Sequence, residues 1–217
     1  YHRNSMYALI KSGSISRYFK YPKGFTLGDI QYPKSIFTLW TASEKAAIGI
    51  IKVTFDNSNK KDIQWYINTN QTYTYDADAG TVTAAYGTAT AKAHADTTWS
   101  QDEIDNGDAP TGADTDTIKD RGLKYNLIQA VKNQAEGLLN QTDWYIIRKA
   151  EKNTAIPSAV TTWRNAIRTK QAEMETLITN ASNTPALETL YTFVNTADEG
   201  DPQVIERPLG EFPELGS

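Results

Sequence analysis

The chain has 217 residues, with 22 Lys and Arg against 26 Asp and Glu, a formal charge of -4 and a pI near 5.3. It contains no cysteine, which excludes a disulfide scaffold, a thiolate zinc site and a cysteine nucleophile. Apolar residues make up 39% and mean hydropathy is -0.54, enough for a core but not for one that absorbs the whole chain.

No apolar run approaches the roughly 20 residues of a membrane-spanning helix, and no basic-then-apolar segment opens the chain. Charge is unevenly spread. Residues 1–75 carry a net +6, 76–120 a net -8, 121–180 a net +4 and 181–217 a net -6. Such alternation points to segments with different jobs. It lacks the overall basicity or dense basic face of a nucleic-acid binder.

The polar opening, Tyr1 to Ser5, precedes Met6. A natural start at Met6 after a short extension, processing, and an incomplete start all fit it. From Tyr7 the pattern is β. Tyr7–Lys11 and Ile15–Phe19 are rich in strand formers, and Ser12-Gly13-Ser14 supplies the turn between them. Tyr21-Pro22-Lys23-Gly24 is another turn. Thr41 and Glu44 have capping-box spacing, which predicts a short helix to about Ile48, closed by Gly49. Ile50–Phe55, Ile63–Ile67, Gln71–Tyr75 and Thr81–Tyr86 read as further strands, with Asp76–Gly80 as a hairpin loop. Tyr73 and Tyr75 share one face by period 2, as do Val82, Ala84 and Tyr86. A small hairpin-built sheet of this kind is expected to need a partner to cover its second face.

Residues 87–116 are rich in Ala, Thr, Asp and Gly. They bury too little to offset their own ordering entropy, so a linker that orders only against a partner is expected. From about Asp116 the pattern turns helical. Ile118, Leu123, Leu127, Ala130, Val131, Ala135 and Leu138 follow near 3.6 spacing. Thr142-Asp143 marks a helix start, with Trp144–Lys152 helical after it. Pro157 suits the first turn of the next helix, whose stripe is Val160, Trp163, Ile167, Met174, Leu177 and Ile178. Thr184-Pro185 opens a last helix, with Leu187, Leu190, Tyr191 and Val194 inward. From Asp198 three prolines, Pro202, Pro208 and Pro213, predict an extended acidic arm.

The expected fold is therefore α+β. An N-terminal antiparallel β-rich attachment module with a short helix spans 6–86 and the linker 87–116. A C-terminal helical hairpin or bundle spans 117–197 and the extended arm 198–217.

Catalytic chemistry is sparse. The two histidines, His2 and His94, have no Asp or Cys at a useful spacing. There is no nucleophile elbow, P-loop, dinucleotide fingerprint or H-E-x-x-H. The acidic residues Asp102, Glu103, Asp105, Asp108, Asp114 and Asp116 would suit Ca²⁺, but they lack the spacing of a calcium loop, and a solvated, self-repelling stretch is the simpler reading. No metal or cofactor is expected. Trp65, Tyr66, Tyr73, Tyr75 and Tyr86 would suit sugar stacking, against the ordinary role of strand aromatics as core pairs. Lys149, Lys152, Arg164, Arg168 and Lys170 lie close together. Arg164 and Arg168 are four apart on one helix face, placed to grip a partner's carboxylates or phosphates. The plainer alternative is a solvated face paired to Glu151 or Glu173.

Two stretches resemble known families. Met6-Tyr-Ala-Leu-Ile-Lys11, Gly13, Ile15, Tyr32-Pro33, Ile36-Phe37, Leu39-Trp40, Glu44 and Ile48-Gly49-Ile50 are similar to the N-terminal module of small virion and tail-fibre-associated proteins of tailed bacteriophages. Leu138-Leu139, Thr142-Asp143-Trp144, Arg148, Glu151, Ile156-Pro157, Trp163-Arg164 and Ile167-Arg168 resemble the C-terminal helical hairpin of phage tail fibre assembly, or tail assembly chaperone-like, proteins. Trp163 stands where that family usually has tyrosine, and Ile167 where it has leucine. Gly210–Leu215 is similar to the short proline-containing ends of such proteins, whereas Tyr1–Ser5 depart from their usual Met start. The resemblance covers about 6–55 and 121–180, roughly half the chain.

It implies no enzyme activity and no catalytic residues. It implies a non-enzymatic structural protein of a tailed phage particle, in the tail or its fibres, made in the host cytoplasm and resident in the virion. Such a protein docks other phage structural proteins and copies of itself, not nucleic acid or membrane. Trp144, Arg148, Trp163, Arg164 and Arg168 are the expected partner-binding residues, since interface energy concentrates in aromatic and Arg side chains. The alternatives are an assembly chaperone absent from the mature particle and a carbohydrate-binding module of a fibre.

Overall fold

The hairpin expected at the start forms between β1 (Tyr7–Lys11) and β2 (Ser14–Phe19). Ser12 and Gly13 both take positive φ, the backbone a tight right-twisting hairpin requires. The structure, a computed structural model, describes residues 5–216. Tyr1–Asn4, with His2, and Ser217 of the expected arm lie outside the described residues. The chain divides into two compact units, Tyr1–Thr90 and Ala91–Ser217.

In the first unit a second hairpin, β3 (Phe25–Leu27) and β4 (Ile30–Tyr32), follows, then two short helices, α1 (Ile36–Leu39) and α2 (Ala42–Ala47). Thr41 and Glu44 form the anticipated capping box. The Glu44 carboxylate accepts the Thr41 N–H at 2.7 Å, and the Thr41 hydroxyl accepts the Glu44 N–H at 3.2 Å. Gly49 then turns the chain at φ +84°, and an added Cβ would lie 2.5 Å from the Ile10 carbonyl oxygen. Next come β5 (Ile50–Asp56), β6 (Tyr66–Ile67), β7 (Gln71–Asp76) and β8 (Thr81–Tyr86).

The main sheet runs β2-β1-β5-β8-β7. The expected antiparallel character holds for every pair but one: β5 and β8 pair in parallel, with Val53 opposite Val82. Period 2 separates the two faces. Tyr7, Leu9 and Ile50 join Phe19, Phe25, Ile36 and Phe37 beneath the short helices. Ala8, Val53, Val82 and Ala84 point the other way and pack with Met6. That second face does not wait for a partner. The sheet curls until its edge strands meet, with the rings of Tyr18 on β2 and Tyr73 on β7 at 4.8 Å. Tyr73 and Tyr75 pack against the enclosed cluster. Twist accumulated over five strands covers what a flat sheet would expose.

The two-residue strand β9 (Thr90–Ala91) spans the division of the chain. The second unit continues with β10 (Thr97–Thr98), α3 (Gln101–Asp105), β11 (Ile118–Asp120), α4 (Leu123–Asn140), α5 (Asp143–Lys152), α6 (Ser158–Asn180), α7 (Thr184–Tyr191), β12 (Val194–Asn195) and β13 (Ile205–Glu206). The architecture is thus α+β, β-rich at its N-terminal end with the long helices towards its C-terminal end. Ile118, expected to open the first long helix, instead lies in β11 opposite Thr98.

Most of the Ala/Thr/Asp-rich stretch belongs to this second unit, where polar bonds replace apolar burial. The carbonyls of Ala93 and His94 accept the first N–H groups of α4, from Leu123 and Lys124, each at 3.0 Å. Asp96 accepts the Gly122 N–H at 2.7 Å and pairs with Arg121 at 2.7 Å. Ser100 and Glu103 make a second capping box at the start of α3, and Glu103 also pairs with Lys119 at the β10–β11 pairing. The Thr184 hydroxyl, at the start of α7, donates to the Lys92 carbonyl at 2.6 Å.

Those bonds predict that the segment responds to acid. The Lys119 ammonium, then the Ser100 N–H and hydroxyl, hold the Glu103 carboxyl down from its ordinary 4.5 to about 2. A carboxyl depressed in the folded state stabilises above its unfolded pKa and stops doing so as pH falls through its folded pKa. Amide protection factors across 98–120, corrected for the intrinsic pH dependence of exchange, are therefore expected to fall between pH 4.5 and about 2. The Glu103→Gln variant is expected to show a much smaller change over that window. Equal pH responses in the two proteins would rule Glu103 out as the anchor.

The core of the second unit lies between α4 and α6. Val131, Ala135, Val160, Trp163, Ile167, Met174 and Ile178 are buried, while Leu177 is 39% exposed. The chain after Asp198 returns to α7 and then to the α4–α6 core. The Leu209 N–H donates to the Leu190 carbonyl at 3.0 Å, and Leu209 is buried. Phe212 packs against the Ala135–Trp163–Ile167 cluster.

Candidate partner-binding surface

The five expected partner-binding residues separate into two environments. Trp163 and Arg164 face inward. Trp163 is 6% exposed, and its indole N–H donates to the Pro213 carbonyl at 2.8 Å. The arm thus covers the ring and satisfies the one polar atom a buried indole must pair.

Arg164 is 7% exposed, and its guanidinium holds the α4–α5 turn. Nη1 donates to the Leu139 carbonyl and the Thr142 hydroxyl, each at 2.8 Å, and Nη2 reaches Asp143 at 2.8 Å. Thr142, itself buried, donates its hydroxyl to the same Leu139 carbonyl at 3.2 Å. The Thr142-Asp143 pair therefore serves the end of α4 and a buried cation. The Thr142 side chain itself makes no capping hydrogen bond to α5.

Trp144, Arg148 and Arg168 face outward. No residue of α5 is buried. Trp144 is 49% exposed and Ile147 56%, three positions apart and so on one helix face. The rings of Trp144 and Tyr145 stack at 3.7 Å. The Arg148 guanidinium lies over both, 4.8 Å and 5.3 Å from their centres. Arg148 Nε is buried without a hydrogen-bond partner among the described residues. Arg168 is exposed and, among the described residues, forms no ion pair, whereas neighbouring Lys170 pairs with Glu173 at 3.3 Å.

The chain matches no family model, no curated protein and no solved structure. The reading of its surface rests on its own geometry and on the sequence resemblance.

The other candidates occupy ordinary positions. Trp65 and Tyr66 are 3% and 6% exposed, so neither offers a ring face to a sugar. His94 contributes its backbone carbonyl to the start of α4. Glu103 is used by its cap and by Lys119. Asp114 accepts from the Asp116 N–H and the Thr117 hydroxyl at 3.1 and 2.7 Å. Among the described residues no three His, Cys, Asp or Glu side chains are grouped to hold a metal ion, and no helix is long and apolar enough to cross a membrane.

Sequence reasoning could not divide Trp144 from Trp163, because both sit at apolar helix positions near an arginine. The available signal was α5 itself. A ten-residue helix with Trp144, Ile146 and Ile147 carries more apolar surface than one short stripe can bury.

Proposed function

We propose that the chain is a non-enzymatic structural protein of a tailed phage particle, associated with the tail or its fibres, and that it acts by docking other particle proteins. The observation that carries this is the outward face of α5, where Trp144, Ile147 and Arg148 form an aromatic, apolar and cationic patch. Residues of these types dominate binding energy at protein interfaces. The phage setting rests on the sequence resemblance. Trp144 and Arg148 are the anchors, Arg168 contributes charge, and Trp163 and Arg164 keep the helices in register beneath them. Repeated copies in cyclic or dihedral arrangement suit a particle component.

The test is quantitative mass spectrometry of density-purified particles. The expected result is a fixed integer ratio to the major capsid protein, reduced about tenfold or more by Trp144→Ala, whose exposed position leaves the fold intact. Presence in lysate alone, beside unassembled fibre, would establish the assembly chaperone instead. Normal incorporation of folded Trp144→Ala would remove α5 from the interface.

A further inference from the structure

The outer face of the first unit's sheet carries a cavity of about 390 Å³ beside α2. Period 2 explains its position. Ile50, Lys52 and Thr54 point to the same face of β5, and Tyr7 sits opposite Lys52 on β1. The short helices bury Tyr7 and Ile50, and α2 ends before it covers Lys52, Thr54 and Thr81.

The charge around this cavity is one-sided. Lys45 is 8% exposed. Its ammonium donates to the Trp40 carbonyl at 2.8 Å and the Phe37 carbonyl at 3.5 Å, and stands 5.3 Å over the Tyr7 ring. All three partners are neutral. Among the described residues neither Lys45 nor Lys52 forms an ion pair, and no Asp or Glu lines the cavity. The nearby carboxylates point their oxygens at backbone N–H groups, Glu44 in its capping box and Asp76 at Asp78 and Ala79, so neither lies in direct contact with the lysines although Glu44 acts on Lys45 through space. A buried ammonium whose direct contacts are all dipoles, with the neighbouring Glu44 carboxylate acting on it only through space, adds positive charge to the low-dielectric space beside it. Hydroxyls of Ser43, Thr54 and Thr81 add donors, and Tyr7, Ala46 and Ile50 supply an apolar wall. The volume lies in the lower part of the range for small-molecule sites, about 300–1,000 Å³.

We propose that this cavity binds a small organic carboxylate. Its anionic head lies at Lys45 and Lys52, and its apolar body lies against Tyr7, Ala46 and Ile50. The proposal is independent of the docking surface on α5.

The experiment is an amide chemical-shift titration of the full chain with sodium hexanoate, hexanamide and inorganic phosphate. Hexanoate at about 10 mM is expected to give saturating shifts at Ala46, Lys52 and Thr81, with hexanamide and phosphate each about tenfold weaker or worse. Lys52→Ala is expected to weaken hexanoate about three- to tenfold with an unchanged spectrum elsewhere, and Lys52→Arg to retain it. Equal binding of hexanamide would overturn the anionic assignment. Phosphate binding as tightly as hexanoate would overturn the organic one. Absence of saturation with hexanoate, or an unaffected Lys52→Ala, would overturn the site.

Discussion

Trp163→Ala is expected to lower the stability of the full chain by about 3–5 kcal/mol in urea denaturation followed by helical circular dichroism. The ring is the largest member of the cluster formed with Ala135 and Ile167 and covered by Leu138, Leu139 and Phe212. Truncation to alanine removes most of its volume, in a place where two long helices cannot easily close the gap. It also leaves the Pro213 carbonyl without its 2.8 Å donor, so the C-terminal arm loses its attachment to α6. Cleavage within 207–216 by added protease is expected to rise in parallel. Trp163→Phe separates the two contributions. It keeps much of the packing and loses the hydrogen bond, worth about 1 kcal/mol. A Trp163→Ala variant within about 1 kcal/mol of the parent would mean that the cluster collapses around the vacancy. Trp144→Ala, by contrast, is expected to change stability by less than about 0.5 kcal/mol, because its ring is half exposed. Only Trp144 therefore reports on docking without also reporting on folding.

Where local chemistry decides, the fold was legible in the sequence. Thr41 and Glu44 form the capping box their spacing predicts, and β1, β2, β7 and β8 lie within a residue or so of their expected positions. Trp144–Lys152 is helical as read, the helix beginning one residue earlier at Asp143, and the Val160–Ile178 stripe is buried apart from Leu177. Contacts distant in sequence were not legible. The parallel pairing of β5 with β8 depends on how β7 returns the chain, and no periodicity encodes that. The β3–β4 hairpin is only three residues a strand, too short for an alternating pattern to show. Around 93–96 the order comes from α4, whose free N–H groups need acceptors. Gly122 is the trace of that contact in the sequence, since an added Cβ there would lie 2.3 Å from the Ala95 backbone. Composition measures apolar burial and is blind to such polar bonds. The same limit applied to the candidate site: Arg164 and Arg168 are four apart, but one is buried and the other exposed. The carbonyl and hydroxyl that draw Arg164 inward come from Leu139 and Thr142, more than twenty residues earlier.

Arg164→Ala is expected to destabilise the full chain by about 2–4 kcal/mol, second only to the loss of Trp163. The guanidinium is the common partner of the Leu139 carbonyl, the Thr142 hydroxyl and the Asp143 carboxylate. Its removal leaves the carbonyl with the Thr142 N–H at 3.0 Å and the Thr142 hydroxyl at 3.2 Å, and opens a void beneath the α4–α5 turn. The three contacts are not equal. Asp143 keeps 46% of its side-chain exposure and is screened by water, so Asp143→Asn is expected to cost less than about 1 kcal/mol. Thr142 is 2% exposed and cannot turn to solvent, so its hydroxyl, which loses the donor it accepts from, and the void carry most of the penalty. Arg164→Met tests that division, because it keeps the aliphatic stem and removes every donor. A loss close to that of Arg164→Ala would assign the cost to unsatisfied polar groups. A Met variant as stable as the parent would show that apolar packing replaces the buried cation, as is known for some buried ion pairs. The α4–α5 turn would then be held by Thr142 and its own backbone. Because α5 presents Trp144 and Arg148 from directly beyond this turn, the same variants test whether the docking face depends on Arg164. Arg164→Met, if folded but destabilised, is expected to misplace α5 and to lower particle incorporation, which Asp143→Asn should leave nearly unchanged; a Met variant as stable as the parent should incorporate normally.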